Sequence, residues 1–258
     1  MTDHPLRLDH LTSRALGAWV QRPHPVVLWP VGSVEPHGPH LPLDTDTTIA
    51  LKNAELAAQA LRAQGVAALV APPLPYGVTE FARDFPGAIS VPGEVLVGLL
   101  EAGAAAFFRS GFRHLCIINH HLEPGQLAAL AQAQRRIAEA HGPHAVSLPA
   151  VVSRRWGGQL GAEFRSGACH AGRYEGSLVL AVTPERVDLA TAASLPEVAV
   201  SLSAAIGAGA TSFVEAGAHQ AYTGSPQAAS AAEGASLYAV LATMVATEVL
   251  ESLEKLPA

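Results

Sequence analysis

The sequence predicts an α/β fold: a single domain on a largely parallel sheet, with helices on both faces. Three observations carry that expectation. Short apolar runs alternate with longer Ala- and Leu-rich segments of helical period, the pattern of crossover units that join parallel strands. The 258 residues are 49% hydrophobic, enough for one large core. Two apolar runs end directly in clusters of Glu, His and Asp, and in open α/β sheets sites lie beyond the carboxyl ends of the strands.

The elements follow in order. Residues 26–31 are an unbroken apolar run of strand length, as suits a strand buried on both faces. Residues 47–63 are rich in Ala and Leu and stop before Gly65, as a helix does at its C-terminus. Residues 66–74 read as a second strand, closed by Pro72, Pro73 and Pro75. A helix over 93–109 ends at Gly111, and a third strand covers 115–118. Pro124 then opens a helix to about residue 140, because the first helical N–H has no partner to lose. Leu127, Leu130, Ala131 and Ala138 share one of its faces. Residues 145–152 form a fourth strand, residues 174–182 a helix stopped near Pro184, and residues 228–253 the last long helix. The stretch 194–226 carries Gly207, Gly209, Gly217 and Gly224 and reads as loops with a short hairpin. Neither a repeat nor a linker divides residues 1–258.

Charge and composition exclude several classes. The net charge is −6, and the close basic pairs Arg135-Arg136 and Arg154-Arg155 are too small to meet a phosphate backbone. No nucleic-acid partner is expected. No membrane is expected either, because the C-terminal Ala-rich segment is broken by Glu233, Glu248 and Glu251. Two cysteines and a polar first 14 residues point to a reducing, cytoplasmic setting. Cys116 lies in a strand, while Cys169 is close in sequence to a candidate site residue. Aromatic residues make up only 5%, so Ala, Leu and Val supply the core, and some apolar helix faces are expected to be buried between subunits.

Residues 31–46 and 116–123 carry the chemistry. Glu35 and His37 alternate across one residue, so in an extended segment they point the same way. Asp46 starts a helix, where its carboxylate can cap the end and bridge two ions. His121 and Glu123 repeat the spacing at another strand end. Mixed His and carboxylate donors suit Zn, Mn or Fe, and a carboxylate shared by two ions suits a two-metal hydrolytic site. The bland alternative, surface loops near strand ends, leaves the recurrence of these residue types unexplained. His40 reads as a loop hydrogen-bonding residue, His114 as a surface residue, and His120 as either a strand-end or a pocket residue. Glu80, Arg83 and Asp84 form a charged loop, solvated or facing a substrate. His4, His10, His24, His141, His144 and His219 need no special role.

Residues 31–46 resemble the signature of the creatininase (creatinine amidohydrolase) family, and so does the run from Asn119 to Glu123. Further matches are Phe85-Pro86-Gly87 with Ser90, and His170-Ala171-Gly172 with Glu175 and Ser177. Thr223-Gly224-Ser225-Pro226 and Ala232-Glu233-Gly234 extend the resemblance over nearly the whole chain. It implies a metal-dependent amidohydrolase, assembled as a hexamer, with two divalent ions per subunit. Glu35, Asp46 and His121 would hold one ion; His37, Asp46 and Glu123 would hold the other. His170 matches the family's catalytic histidine, which gives a proton to the leaving nitrogen. Glu123 and Glu175 are the further catalytic candidates, Glu175 in a supporting role. Trp156 matches a pocket tryptophan. Glu80, His120, Leu122 and Trp156 are the substrate-contact candidates.

The departures bear on substrate. His120 replaces a glycine, and Leu122 stands where creatinine hydrolases carry a tyrosine. Ser166 takes the place of the tryptophan that packs on creatinine. Other branches cleave peptides, formamides or cyclic ketones, the first usually with Gly-Gly where this chain has Leu122-Glu123. The expected function is a dinuclear-metal-dependent amidohydrolase cleaving a C–N bond of a small amide, cyclic amide or short peptide through a metal-bound hydroxide. Creatinine hydrolysis proper and ring opening of a cyclic ketone are the alternatives on the same site. A catalytically silent, oligomeric metal-binding homologue is the non-enzyme alternative.

Overall fold

Four strands, all parallel, lie in the order β2-β1-β3-β4 in the computed structural model, which describes residues 6–256. The central strands β1 (Val26–Val31) and β3 (His114–Asn119) are buried along their whole lengths. They pair in register from Val26 with His114 to Val31 with Asn119. That register ends both strands at the same level, so the segments that follow them meet. Outside them, β2 (Ala68–Val70) and β4 (Val146–Ser147) are shorter than the apolar runs at 66–74 and 145–152 suggest. The prolines are the reason. Pro72 and Pro73 have no N–H, so after Val70 only Ala71 and Leu74 still donate to β1, at Leu28 and Pro30. Pro30 itself sits in a central strand, but its open side faces the stretch where β2 has already ended.

Nine helices follow among the described residues: α1 (Ser13–Trp19), α2 (Thr45–Ala63), α3 (Gly93–Arg109), α4 (Pro124–His141), α5 (Ala162–Ser166), α6 (Arg173–Leu180), α7 (Leu189–Ser194), α8 (Leu202–Gly207) and α9 (Ala231–Leu253). Strand alternation divides the core in two. Val26, Leu28, Cys116 and Ile118 face α2, α6 and α9, where Ile49, Leu61, Leu178, Leu241 and Val245 are buried. Val27, Trp29, Leu115 and Ile117 face α3 and α4, against Leu96, Leu100, Leu130 and Ile137. α9 is long and apolar enough to cross a membrane, yet here it is a core helix. Gly234 lets it approach α6, because a Cβ there would run into the Ser177 carbonyl. That packing accounts for the glycine of the Ala232-Glu233-Gly234 motif.

A third, small cluster of Phe81, Ala82, Leu202, Phe213, Ala218 and Ala221 joins the 81–85 loop to α8 and the segment after it. In place of the expected hairpin within 194–226, the chain forms α8 and a single antiparallel bridge between Val198 and Gly224. The short helices α1, α7 and α8 carry too few turns to show a period; their signals are the caps Thr12, Asp188 and Ser201, whose side chains accept from the third residue beyond.

Candidate metal centre

The loop after β1 folds back across the start of α2. Gly32 permits this, since a Cβ would lie 2.6 Å from the Thr47 nitrogen. Glu35, His37 and Asp46 are thereby brought together, and the end of β3 adds His121. The turn before α6 adds His170, and the first turn of α6 adds Glu175. All six side chains are buried.

Two donor groups share Asp46. In the first, His121 Nδ1 lies 3.1 Å from Glu35 Oε1 and 3.1 Å from Asp46 Oδ2. In the second, His37 Nε2 lies 3.3 Å from Asp46 Oδ1 and 3.6 Å from Glu175 Oε2. His170 Nδ1 stands 3.8 Å from Glu35 Oε1 and could join Glu35 and His37 in a third grouping.

Backbone carbonyls orient all three imidazoles. A carbonyl only accepts, so the ring nitrogen facing it carries the proton. His37 Nδ1 donates to Glu35 O at 3.0 Å, His121 Nε2 to Val78 O at 2.7 Å, and His170 Nε2 to Pro36 O at 2.9 Å. In the neutral form of each ring the other nitrogen offers a lone pair toward the carboxylates. This is the supporting arrangement that metal-ligating histidines use. Ser33 donates to Asp46 Oδ2 at 2.8 Å, and Thr79 Oγ1 donates to Glu35 Oε2. Thr79 carries no sequence signal; Ser33 lies inside the first motif.

The electrostatics call for a cation. Burial opposes charge on His37, yet Asp46, Glu175 and Glu35 push it up to about 10. His121 is raised well above its ordinary range against the same burial, by Glu35 and Asp46. Burial, with the Asp46 and Glu35 charges, lifts Glu175 to about 8 although His37 opposes it. Against burial, His37 and His121 hold Glu35 and Asp46 below the usual carboxylate range, so the cluster keeps protons on its histidines that divalent ions would displace. His37 Nε2 is buried without a hydrogen-bond partner. A ring nitrogen left without a partner among carboxylate oxygens, and free to bind once its proton is displaced, fits Zn, Mn or Fe.

Glu123 stands apart from both groups. Its carboxylate accepts from the Glu80 and Phe81 nitrogens, at 3.0 and 3.1 Å, and lies 3.8 Å from His121 Nε2. The resemblance places Glu123 beside His37 and Asp46; the geometric group there contains Glu175. The cause is orientation at two helix N-termini: Glu123 precedes α4 and turns to the 79–81 loop, whereas Glu175 lies inside α6 with Oε2 also accepting from Ala171 N at 2.6 Å.

The family model described as creatininase, creatinine amidohydrolase, matches residues 9–249. The chain belongs to the creatininase family. The mycofactocin precursor peptide peptidase of Mycobacterium ulcerans (strain Agy99) is 34% identical over 225 residues, covering 83% of this chain and 80% of that protein. The creatinine amidohydrolase of Pseudomonas putida is 30% identical over 182 residues, covering 64% of this chain and 66% of that one. A mutant creatininase of Zn-Zn type superposes with a TM-score of 0.74 at 23% identity, covering 97% and 99% of the two chains, which shows a shared fold.

In this creatininase-family chain a cavity of about 300 Å³ opens onto the carboxylates. Its walls are apolar, formed by Phe81, Leu122, Leu127, Val152, Ile206 and Phe213, and Cys169 also borders it. Among the described residues no Lys or Arg lines it. Of the four substrate-contact candidates only Leu122 is there. Glu80 is exposed and contributes its backbone N–H to Glu123. His120, adjacent in the chain to His121, is turned away from the cavity toward α2, where Asn53 Nδ2 meets its Nε2 at 3.0 Å. Trp156 is a core residue whose indole donates to Glu248 Oε1 at 2.7 Å. Ser166 lies outside the cavity and donates to Glu163 O.

Two further histidines differ from expectation. His114 is fully buried, because it begins a central strand flanked by β1 and β4. Its Nδ1 donates to His144 O and its Nε2 accepts from Ser147 Oγ, both at 2.9 Å. His40 is buried, joins no donor group, and its ring nitrogens have no hydrogen-bond partner among the described residues. His4 lies outside the described residues.

Proposed function

We propose that this chain is a dinuclear-metal-dependent amidohydrolase that cleaves a C–N bond of a small amide, cyclic amide or short peptide. The carrying observation is the pair of buried donor groups that share Asp46 at the end of an apolar cavity. Glu35, Asp46 and His121 would hold one ion; His37, Asp46 and Glu175 would hold the other. Divalent ions there would acidify water toward neutral pH and polarise a carbonyl.

The chain's own groups handle the protons. His170 presents a bare Nδ1 toward the cluster, and burial beside His37 lowers its pKa to about 4, so it rests neutral. It starts as a base, takes a proton from water, and delivers it to the departing nitrogen, which leaves readily only once protonated. Glu123, at the cavity wall and raised by burial to about 7, is a second group able to exchange a proton near neutrality. The apolar walls exclude water and favour apolar groups beside the scissile bond.

Within this class a peptide substrate is favoured over creatinine. The relatives named peptidases match across most of their length, although this chain lacks the Gly-Gly pair at 122–123. Leu122 gives the cavity wall no polar contact for a creatinine ring, and Ser166 is not at the wall at all. The unpaired thiols Cys116 and Cys169 fit a cytoplasmic setting. The exposed Val95 and Leu99 on α3 fit a homo-oligomer, taken here as a hexamer.

The test is reconstitution. Protein stripped with chelator and reloaded with Zn or Mn should hydrolyse members of a panel of dipeptides, formamides, lactams and creatinine. His170→Ala should keep both ions and lose about a hundredfold or more in turnover. Fewer than two ions per chain after reloading, or no metal-dependent hydrolysis across the panel, refutes the proposal.

A further inference from the structure

We infer that Glu163 is a positioning residue that holds His170 and Glu175 in place from outside the cavity; the inference rests on the two-ion reading above. Its carboxylate joins two other segments to its own helix. Glu163 sits in the first turn of α5. Its Oε1 accepts from Tyr174 N, at the start of α6, at 2.9 Å. Its Oε2 accepts from Ser225 N, in the Thr223-Gly224-Ser225-Pro226 turn, at 2.7 Å.

Glycines make room for this carboxylate. A Cβ on Gly172 would lie 2.6 Å from Glu163 Oε1, and one on Gly224 would collide with Oε2. Gly224 also has φ +79, a conformation that side chains other than glycine rarely adopt. Both conserve space for one side chain that reaches neither the donor groups nor the cavity lining. The sequence motifs at 170–175 and 223–226 are thus two halves of one clamp.

The clamp matters because the turn it holds is strained. Ala171, between His170 and Gly172, has φ 51, in the left-handed region that crowds an alanine's Cβ against its carbonyl oxygen. Such residues persist only where their surroundings over-determine them. Here His170 O accepts from Thr223 N at 2.8 Å, Ala171 N donates to Glu175 Oε2 at 2.6 Å, and Glu163 ties the two ends together. Through this turn Glu163 sets where His170 Nδ1 and the Glu175 carboxylate stand.

The test uses Glu163→Gln in the full-length protein. The amide keeps the size but sets an N–H₂ against one of two backbone donors. Amide hydrogen exchange of metal-free protein is expected to speed up about tenfold or more in segments 170–175 and 223–226, with the rest of the chain unchanged. Titration with Mn²⁺ is expected to show two ions in the wild type and the weaker one bound about 10–100-fold less tightly in the variant. The spin-coupled signal of paired Mn²⁺ should fade in parallel. Arg136→Ala removes the exposed ion pair between Arg136 on α4 and Glu101 on α3, away from the clamp, and should leave both measurements as in the wild type. Unchanged exchange in the two segments, or wild-type affinity for both ions in Glu163→Gln, overturns the inference. A wild type that binds fewer than two ions instead refutes the dinuclear reading, and the exchange data still decide whether Glu163 clamps the turn.

Discussion

Acidification to about pH 5 should cost the folded chain about 2 kcal/mol through His114 alone. Burial between β1 and β4 lowers this imidazole from 6.5 to about 4. Its hydrogen bonds, Nδ1–H to His144 O and Ser147 O–H to Nε2, suit the neutral ring. The native state therefore declines a proton that the unfolded chain takes up below about pH 6.5. Stability is full above that value, falls as pH drops toward about 4, and levels off below it. Integrating the proton difference gives about 2 kcal/mol lost at pH 5 and roughly 3 kcal/mol below pH 4. Other buried groups titrate as well, so the quantity to measure is a difference between proteins. Urea unfolding of wild type and His114→Asn, at about pH 7.5 and about pH 5 and at fixed protein and metal concentrations, isolates it. The variant strands the Ser147 hydroxyl and should be weaker at both values by roughly 1–3 kcal/mol, independent of pH. Its loss on acidification should nevertheless be smaller than that of the wild type by about 2 kcal/mol. Equal acid losses in the two proteins would refute the assignment of a buried, neutral His114.

Metal analysis should separate the two glutamates: Glu175→Gln should retain only one ion firmly, Glu123→Gln should retain both, and Asp46→Asn should lose both. The reverse order for the glutamates would restore the assignment made from sequence. Gly234→Ala should destabilise the protein by about 1–3 kcal/mol, because the new methyl group meets the Ser177 backbone of α6. Gly17→Ala, in a helix with nothing within 4 Å of the new Cβ, should stabilise it by about 0.5–1 kcal/mol; thermal melts read both. Light scattering at micromolar concentration should find an oligomer of closed symmetry, and a monomer there would contradict the hexamer.

The two central strands and most of the candidate donors were legible along the chain. An apolar run of strand length followed by Glu and His is local information: Glu35, His37 and His121 lie close beyond β1 and β3, and Asp46 lies in the first turn of α2. The long helices were equally legible, because each repeats its apolar period over several turns. Helices of one or two turns show no such repeat, and α1, α5, α7 and α8 emerged only in three dimensions. Side-chain direction was the second thing hidden. Glu123 and Glu175 are both acids near helix starts, and nothing local says which one meets Asp46. That depended on α6 packing its first turn against the β1 loop while the 79–81 backbone drew Glu123 aside. Trp156, and His120 with its two open roles, were undecided for the same reason: each is the right residue type near the site, but Glu248 and Asn53 hold them elsewhere. His114 looked like an exposed strand end until β4 covered it. Pattern along the chain reveals which residues can carry the chemistry. Which of them converge is decided by packing between segments distant in sequence, where a buried polar group goes to whichever partner satisfies it.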